Sequence, residues 1–335
     1  MKAIRIKAPF GLDNLQYVDM DEAAAPRPGE IQVRLKANSL NFHDYGVAMG
    51  VMGAADGLIP MSDGAGIIEA VGEGVTEFSV GDHVVSCFFP DWLDGPARVS
   101  DFARTPGDGI DGYARESVTT PAHWFTHAPQ GYSHVEAATL TTAGLTAWRA
   151  LVINGGLKAG DTVLILGTGG VSIFSLQFAH MMGARVFATS SSEEKIERLQ
   201  SMGAEQTLNY KQNENWGETV LDWTDGRGVD HVVEVGGPAT LPQSITACRV
   251  GGHIALMGVL TGIKGDIPTA TFMRKQQRIE GLIVGSRRQQ QEMIAALDAN
   301  DMKPVVSKEF PLEALADAFR FEEAGSHFGK IGVNI

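Results

Sequence analysis

The chain has 335 residues, enough for about two domains at the usual ~100–200 residues each and for a core that needs no disulfide or metal staple. Its 40 glycines exceed the ~7% of an average chain without any collagen-like period, which predicts many tight turns or close backbone approaches. Lys and Arg number 27 against 40 Asp and Glu, and the net charge of −13 leaves no basic footprint for nucleic acid or an anionic membrane. With only Cys87 and Cys248, a four-cysteine zinc lobe, a multi-disulfide framework and a cluster on four thiolates are excluded, and a cytoplasmic location is expected.

In chain order, residues 1–7 alternate apolar and polar side chains, which predicts an opening strand rather than a signal peptide, with nothing preceding the fold. No apolar run approaches the ~18–20 residues of a membrane helix. Residues 1–143 carry short alternating runs at 31–35, 66–71 and 83–88, separated by Pro and Gly, and predict a small antiparallel β domain. Residues 91–112 hold Gly95-Pro96, Pro106-Gly107 and Gly109 with little periodicity and predict a long loop serving as lid or pocket wall.

From Gly144 the pattern becomes helix (145–154), strand (162–166), glycine turn (167–170), helix (171–182), strand (185–189) and helix (193–202), then strands at 229–235 and 252–258. Strands alternating with helices predict βαβ units and an α/β domain with a doubly wound parallel sheet over 144–283. The tail, 284–335, offers helices at 288–299 and 313–323 and a strand at 330–335, too few elements to fold alone. It is expected to return to the first domain, which makes the α/β domain an insertion with a cleft beside it.

Gly167-Thr168-Gly169-Gly170-Val171-Ser172 follows a predicted strand and opens a predicted helix, where backbone N–H groups favour a pyrophosphate. The motif alone reads equally as a structural turn; the βαβ context favours a dinucleotide. Ser172 replaces the third glycine, a departure expected to loosen helix–strand packing slightly. About 20 residues on, an NAD site places an acid on the ribose, whereas this chain reads Ala188-Thr189-Ser190-Ser191-Ser192. A carboxylate ~4 Å from a 2′-phosphate would repel it by ~4 kcal/mol at an effective dielectric of ~20, so its absence admits NADP(H). Ser190, Ser191 and Lys195 are the expected phosphate ligands, with Arg198 on the same helix face. The plainer reading is a capping box of Ser191 with Glu194 and a solvated Lys195.

Asn38–Asp44 (NSLNFHD), Ser62–Gly66 (SDGAG) followed by Glu69–Gly72 (EAVG), Thr141–Ala147 (TTAGLTA) and the glycine turn resemble the medium-chain dehydrogenase/reductase superfamily over nearly the whole chain. The similarity is greatest to its quinone oxidoreductase branch and to relatives called zinc-type alcohol dehydrogenase-like. The resemblance implies a GroES-like β-rich domain, completed by the tail, with a Rossmann domain inserted in it. It also implies that Thr146 faces the nicotinamide, that Gly258, Val259 and the stretch from Leu282 to Val284 line the carboxamide side, that Tyr210 lies by the 2′-phosphate, and that Lys330 is a further cofactor ligand. A homodimer is implied as well. Asn41, Ser62 and Thr142 stand where the family's alcohol dehydrogenases hold zinc through Cys, His and Cys, and Asp63 stands for the glutamate after that histidine. No metal is therefore expected.

Without a Lewis acid, hydrogen-bond donors must stabilise an oxygen gaining charge, and a side chain or water must supply a proton. Asn41 is a candidate donor or a loop amide satisfying backbone groups, and His43 a candidate proton relay or a hydrogen-bonded filler. Asp44 is read as orienting a neighbour or fixing the loop, and Tyr45 as a further donor. Residues 88–92 (FFPDW) offer an apolar wall or domain packing. The expectation is an NADPH-dependent, zinc-independent oxidoreductase passing hydride to a small electrophile, a quinone or an α,β-unsaturated carbonyl. Metal-free carbonyl/alcohol interconversion and a non-catalytic NADPH-binding protein are the alternatives.

Overall fold

The computed structural model describes residues 1–99 and 101–335; Ser100, inside the loop expected at 91–112, lies outside the described residues. The chain forms two compact units, Met1–Leu145 with Val284–Ile335, and Thr146–Ile283.

The first unit opens with the strand that the alternation at 1–7 predicts, β1 (Lys2–Ile6), paired antiparallel with β2 (Leu15–Asp19). β3 (Glu30–Ser39) leads into helix α1 (Phe42–Ala48), followed by β4 (Asp63–Val71), β5 (His83–Ser86), β6 (Ser117–Pro121), β7 (Phe125–His127) and α2 (His134–Ala138). Ile31, Val33 and Leu35 of β3 pack with Ile68, Val84, Val118 and Phe125 in a core that the period-two pattern of each strand creates. The segment read as a loop at Asn41–Tyr45 is instead the first turn of α1, with Asn41 as N-cap and Asp44 at the third position accepting the Asn41 backbone N–H.

Residues 140–154 run as one helical stretch in which α3 (Leu145–Trp148) lies between π-helical turns at Leu140–Gly144 and Arg149–Asn154. The second unit continues with β8 (Thr162–Leu166), α4 (Gly170–Met181), β9 (Arg185–Ser190), α5 (Glu193–Ser201), β10 (Ala204–Asn209), α6 (Trp216–Asp222), β11 (Val229–Glu234), α7 (Leu241–Ala247), β12 (Cys248–Leu256), α8 (Thr269–Arg274) and β13 (Arg278–Gly281). All neighbours in its sheet are parallel, and the order β10-β9-β8-β11-β12-β13 is the 3-2-1-4-5-6 order of a dinucleotide-binding doubly wound sheet. β8 is buried at every position because helices cover both faces, which is why it reads as a continuous apolar run.

The chain then returns to the first unit as α9 (Arg287–Asp298), β14 (Val306–Pro311), α10 (Leu315–Glu323) and β15 (Lys330–Asn334). β15 pairs antiparallel with β3, Gly332 opposite Ser39, and closes the order β14-β15-β3-β4-β5-β7, with β6 also on β3. Leu315, Ala318 and Phe319 of α10 are buried against Ile4, Leu40 and Ile59, so the tail completes a core that the first 145 residues leave open.

Candidate functional site

The pairing of β15 with β3 fixes one end of a buried polar cluster. Gly329 has φ +80°, and a Cβ there would meet the Val305 carbonyl oxygen at 2.4 Å, so only glycine lets the chain turn into β15 with Lys330 directed inward. The Lys330 ammonium donates to the Leu40 carbonyl and, at 2.6 Å, to Asn41 Oδ1. It lies 3.9 Å from Asp63 Oδ2 and is 4% exposed.

Asn41 is a bridge. Its Nδ2 donates to Asp44 Oδ2 at 3.0 Å, and the other Asp44 oxygen accepts from the Ser62 N–H at 2.8 Å and the Ser62 hydroxyl at 2.9 Å. Asp63, fully buried, accepts from the Thr142 hydroxyl at 2.6 Å through Oδ1, while its Oδ2 has no hydrogen-bond partner among the described residues. Thr142 sits in the Leu140–Gly144 π turn, a distortion common where a helix serves a site. Met61, buried with φ +78°, directly precedes Ser62 and Asp63. This non-glycine residue in the left-handed region stores strain beside the cluster.

Burial pushes the Asp63 carboxyl up to about 7, helped by Asp44 and opposed by Lys330, Thr142 and Asn41. Burial likewise lifts Glu322 on α10 to about 7, and its Oε2 is a buried atom without a partner. Lys330 moves the other way: burial lowers its pKa against the fields of Asp63, Glu322 and Asp44.

His43 lies on the same turn of α1 but faces other partners. Its Nε2 is 3.1 Å from Asp108 Oδ2 at an angle outside hydrogen-bond geometry, and its ring packs on Phe102 and edge-on to Phe88 at centroid distances of 4.6 and 5.6 Å. Burial pulls its pKa down, but Asp108 with the fields of Asp44 and Asp63 outweighs this and the net shift is upward. Phe88, Phe89 and Trp92 are buried and pack with Phe102 in one aromatic group, with His43 on its edge. Tyr45 parts from its neighbours: its hydroxyl donates to Glu323 at 2.7 Å and its ring faces Phe42 and Phe319.

In the second unit, Gly167 has φ +72°, Gly169 caps α4 with φ −74°, and a Cβ on Gly169 would meet nothing within 4 Å. The turn of Gly167, Thr168, Gly169, Gly170 and Val171 therefore presents open backbone at a helix start with no side-chain cap, as the expected dinucleotide needs. Ser172 does not loosen the packing: it is buried, and its hydroxyl donates to the Leu166 carbonyl at 2.7 Å, tying α4 to β8.

Ser190 ends β9 buried, and its carbonyl accepts the Tyr210 N–H at 3.0 Å, so Ser190, Ser191 and Tyr210 gather at adjoining strand ends. The cap of α5 is Ser192, whose hydroxyl accepts from the Lys195 N–H, rather than the Ser191 and Glu194 box. Lys195 is half-buried on the first turn of that helix. A carboxylate does stand near: Glu193 Oε1 accepts from Asn209 Nδ2 at 2.6 Å and Gln212 Nε2 at 3.1 Å. Gly258 lies where a Cβ would strike the Val235 carbonyl oxygen at 2.0 Å, while Val259 is exposed. The Leu282 N–H donates to the Leu256 carbonyl, and Thr146 is buried at the start of the unit. Val284, with φ +46°, opens the returning stretch of the first unit.

Sequence reading passed over Asp108 and Glu322 and named Ser62, Asp63 and Thr142 only as replaced metal positions. An acid heading a strand whose next residues are Gly-Ala-Gly-Ile-Ile was the available signal for Asp63. Nothing local marks Asp108 or Glu322, whose roles depend on how a loop and a helix pack.

The profile of the alcohol dehydrogenase GroES-like domain matches residues 27–130, and that of the zinc-binding dehydrogenase family matches residues 170–299. A zinc-type alcohol dehydrogenase-like protein of Schizosaccharomyces pombe is 41% identical over 97% of this chain and 96% of its own. The crystal structure of an NAD-dependent alcohol dehydrogenase superposes with a TM-score of 0.89 at 33% identity, covering 100% of both chains. That of a Pseudomonas syringae quinone oxidoreductase gives 0.83 at 26%, covering 100% of this chain and 99% of its own. Zinc, present in two of these names, finds a poor donor set in the cluster: there is no thiolate or imidazole among its members, the Asp44 carboxylate is taken by Asn41 and Ser62, and the remaining carboxylate, Asp63, accepts from Thr142 and lies beside the buried Lys330 ammonium. With both halves of the fold and its relatives in agreement, the chain belongs to the medium-chain dehydrogenase/reductase superfamily of oxidoreductases.

Proposed function

We propose that the protein is an NADPH-dependent, zinc-independent reductase of electron-poor acceptors, a quinone or an α,β-unsaturated carbonyl. The observation that carries this reading is the cluster of Asn41, Asp44, Ser62, Asp63, Thr142 and Lys330, which supplies hydrogen-bond donors and a fixed positive charge but no thiolate or imidazole ligand. NADPH, when bound, supplies the hydride. With an enal and a proton, that chemistry would give the saturated aldehyde and NADP⁺, the hydride going to the β-carbon and the proton to the α-carbon.

The chain's own part is to meet the charge that develops on the carbonyl oxygen with N–H and O–H donors and to hold a proton near it. His43, whose pKa is lifted by its acidic neighbours, is a proton holder of this kind. The open backbone at Gly169 supports a pyrophosphate, and Ser190, Ser191 and Tyr210 with Lys195 support a 2′-phosphate. Although one structural neighbour is NAD-dependent, Glu193, which opens α5, already accepts through Oε1 from Asn209 and Gln212. A cytoplasmic homodimer without nucleic-acid or membrane partners completes the reading. Because His43 also suits metal-free carbonyl reduction, that is the second reading.

The deciding experiment follows NADPH oxidation with an enal and, separately, with the corresponding saturated aldehyde. Faster turnover of the enal, giving the saturated aldehyde, is expected. Preference for the saturated aldehyde moves the protein to carbonyl reduction, and tight NADPH binding without turnover of either makes it a non-catalytic binder.

A further inference from the structure

Lys330 is read from sequence as a cofactor ligand, yet its ammonium is committed inside the first unit. A buried ammonium costs several kcal/mol unless paired and hydrogen-bonded. Here Leu40 O and Asn41 Oδ1 take its hydrogens, and Asp44 of α1, Asp63 of β4 and Glu322 of α10 are the charged groups that face it. The arrangement also decides how the Asn41 carboxamide stands. Lys330 is donor-only and contacts Oδ1; Asp44 contacts Nδ2 and accepts from Ser62 as well. Turning the amide over would set an NH₂ against an ammonium and an oxygen against a carboxylate. Lys330 thus keeps the Asn41 NH₂ on the side of the acids, one hydrogen on Asp44 and the group as a whole stabilising the Asp63 carboxylate.

We propose that Lys330 is the resident cation of this cluster, a positioning residue that locks Asn41 as an N–H donor and supplies from the chain itself the positive charge a divalent metal would bring. The proposal rests on the reading of the protein as a metal-free reductase. It predicts that zinc does not bind at the cluster and that losing the ammonium harms the chemical step rather than cofactor binding.

The test uses the full-length protein and Lys330→Met, which keeps the length of the side chain and removes its charge. Expected is a fall in kcat of about tenfold or more with KM for NADPH within about twofold of wild type. A rise in KM for NADPH with kcat unchanged would make Lys330 a cofactor ligand and overturn the proposal.

Two readouts do not require turnover. Calorimetric titration of the wild-type protein with zinc chloride is expected to show no tight site; about one zinc per chain, lost in Asp63→Asn, overturns the proposal whether or not Lys330→Met folds. In Lys330→Met the stability should fall more steeply from pH 5 to 8 than in wild type, and adding Asp63→Asn should make the fall shallower again; an unchanged slope in the single variant overturns it. If no acceptor is turned over, the proposed function fails while these two readouts still judge Lys330.

Discussion

Thr142 and Asp63 lie 79 positions apart in sequence and are joined by a hydrogen bond of 2.6 Å between the Thr142 hydroxyl and Asp63 Oδ1. The π turn carrying Thr142 and the strand start carrying Asp63 are thereby locked together, while Asp63 Oδ2 has no hydrogen-bond partner among the described residues and lies 3.9 Å from the Lys330 ammonium. Thr142→Val keeps the shape and deletes the donor. It should cost about 1–3 kcal/mol in urea unfolding, more at pH 8 than at pH 5, because a hydroxyl bound to an ionised carboxylate is worth more than one bound to the acid. Equal losses at the two pH values would show that Asp63 does not change its charge in this range.

Glu322 offers a cleaner sign. Burial raises its carboxyl from 4.5 to about 7, and the burial is local: Oε2 is covered although the residue is partly exposed. A carboxyl whose folded pKa lies above its unfolded one contributes stability that is complete below about pH 4.5 and is lost as pH rises through about 7. Glu322→Gln cannot ionise and should escape that loss, gaining about 1–2 kcal/mol on wild type between pH 5 and pH 8 by urea unfolding. A gain that does not depend on pH would exclude titration of Glu322 as the cause.

How far the sequence reveals this protein depends on whether a feature is local. The strands at 162–166 and 185–189 and the glycine turn between them are legible because apolar runs, glycine and helix periodicity act over a few residues, and the structure places β8, β9 and α4 there. α1 was not legible: its first turn, Phe42-His43-Asp44-Tyr45, has weak helix formers, and the Asn41 cap with Asp44 at N3 stabilises it. The contacts of Lys330 were not legible, because its side-chain direction is set by Gly329, by β15 pairing with β3, and by acceptors 289 and 290 residues away. Ser172 was misjudged for a related reason, since volume alone ignores a hydroxyl that can bond to the strand it crosses.

The glycine turn separates backbone strain from ligand space. Gly169 has an ordinary φ of −74° and open surroundings, so Gly169→Val should fold with stability close to wild type. Its side chain would fill the cradle expected to hold the pyrophosphate, weakening NADPH binding by about tenfold to a hundredfold in a fluorescence titration. Gly167→Ala should behave differently, since φ +72° is costly for any residue with a Cβ, and a stability loss of about 1–2 kcal/mol is expected. Wild-type affinity in a folded Gly169→Val protein would place the cofactor elsewhere.

Cofactor choice is tested at Ser191, half-buried next to the buried end of β9. Ser191→Asp would bring a carboxylate to the position where the ribose carries its 2′-phosphate. Two like charges about 4 Å apart repel by several kcal/mol at an effective dielectric of ~20, and less where water screens them. NADPH should therefore lose at least about tenfold in kcat/KM, whereas NADH, which has a 2′-hydroxyl for an acid to accept from, should change by less than about threefold or improve. The comparison is made at two salt concentrations, because an electrostatic penalty must shrink as salt rises. A parallel fall for both cofactors at either salt concentration would mean that Ser191 shapes the strand end without touching the phosphate, and the case for NADPH would then rest on Lys195 and Tyr210 alone.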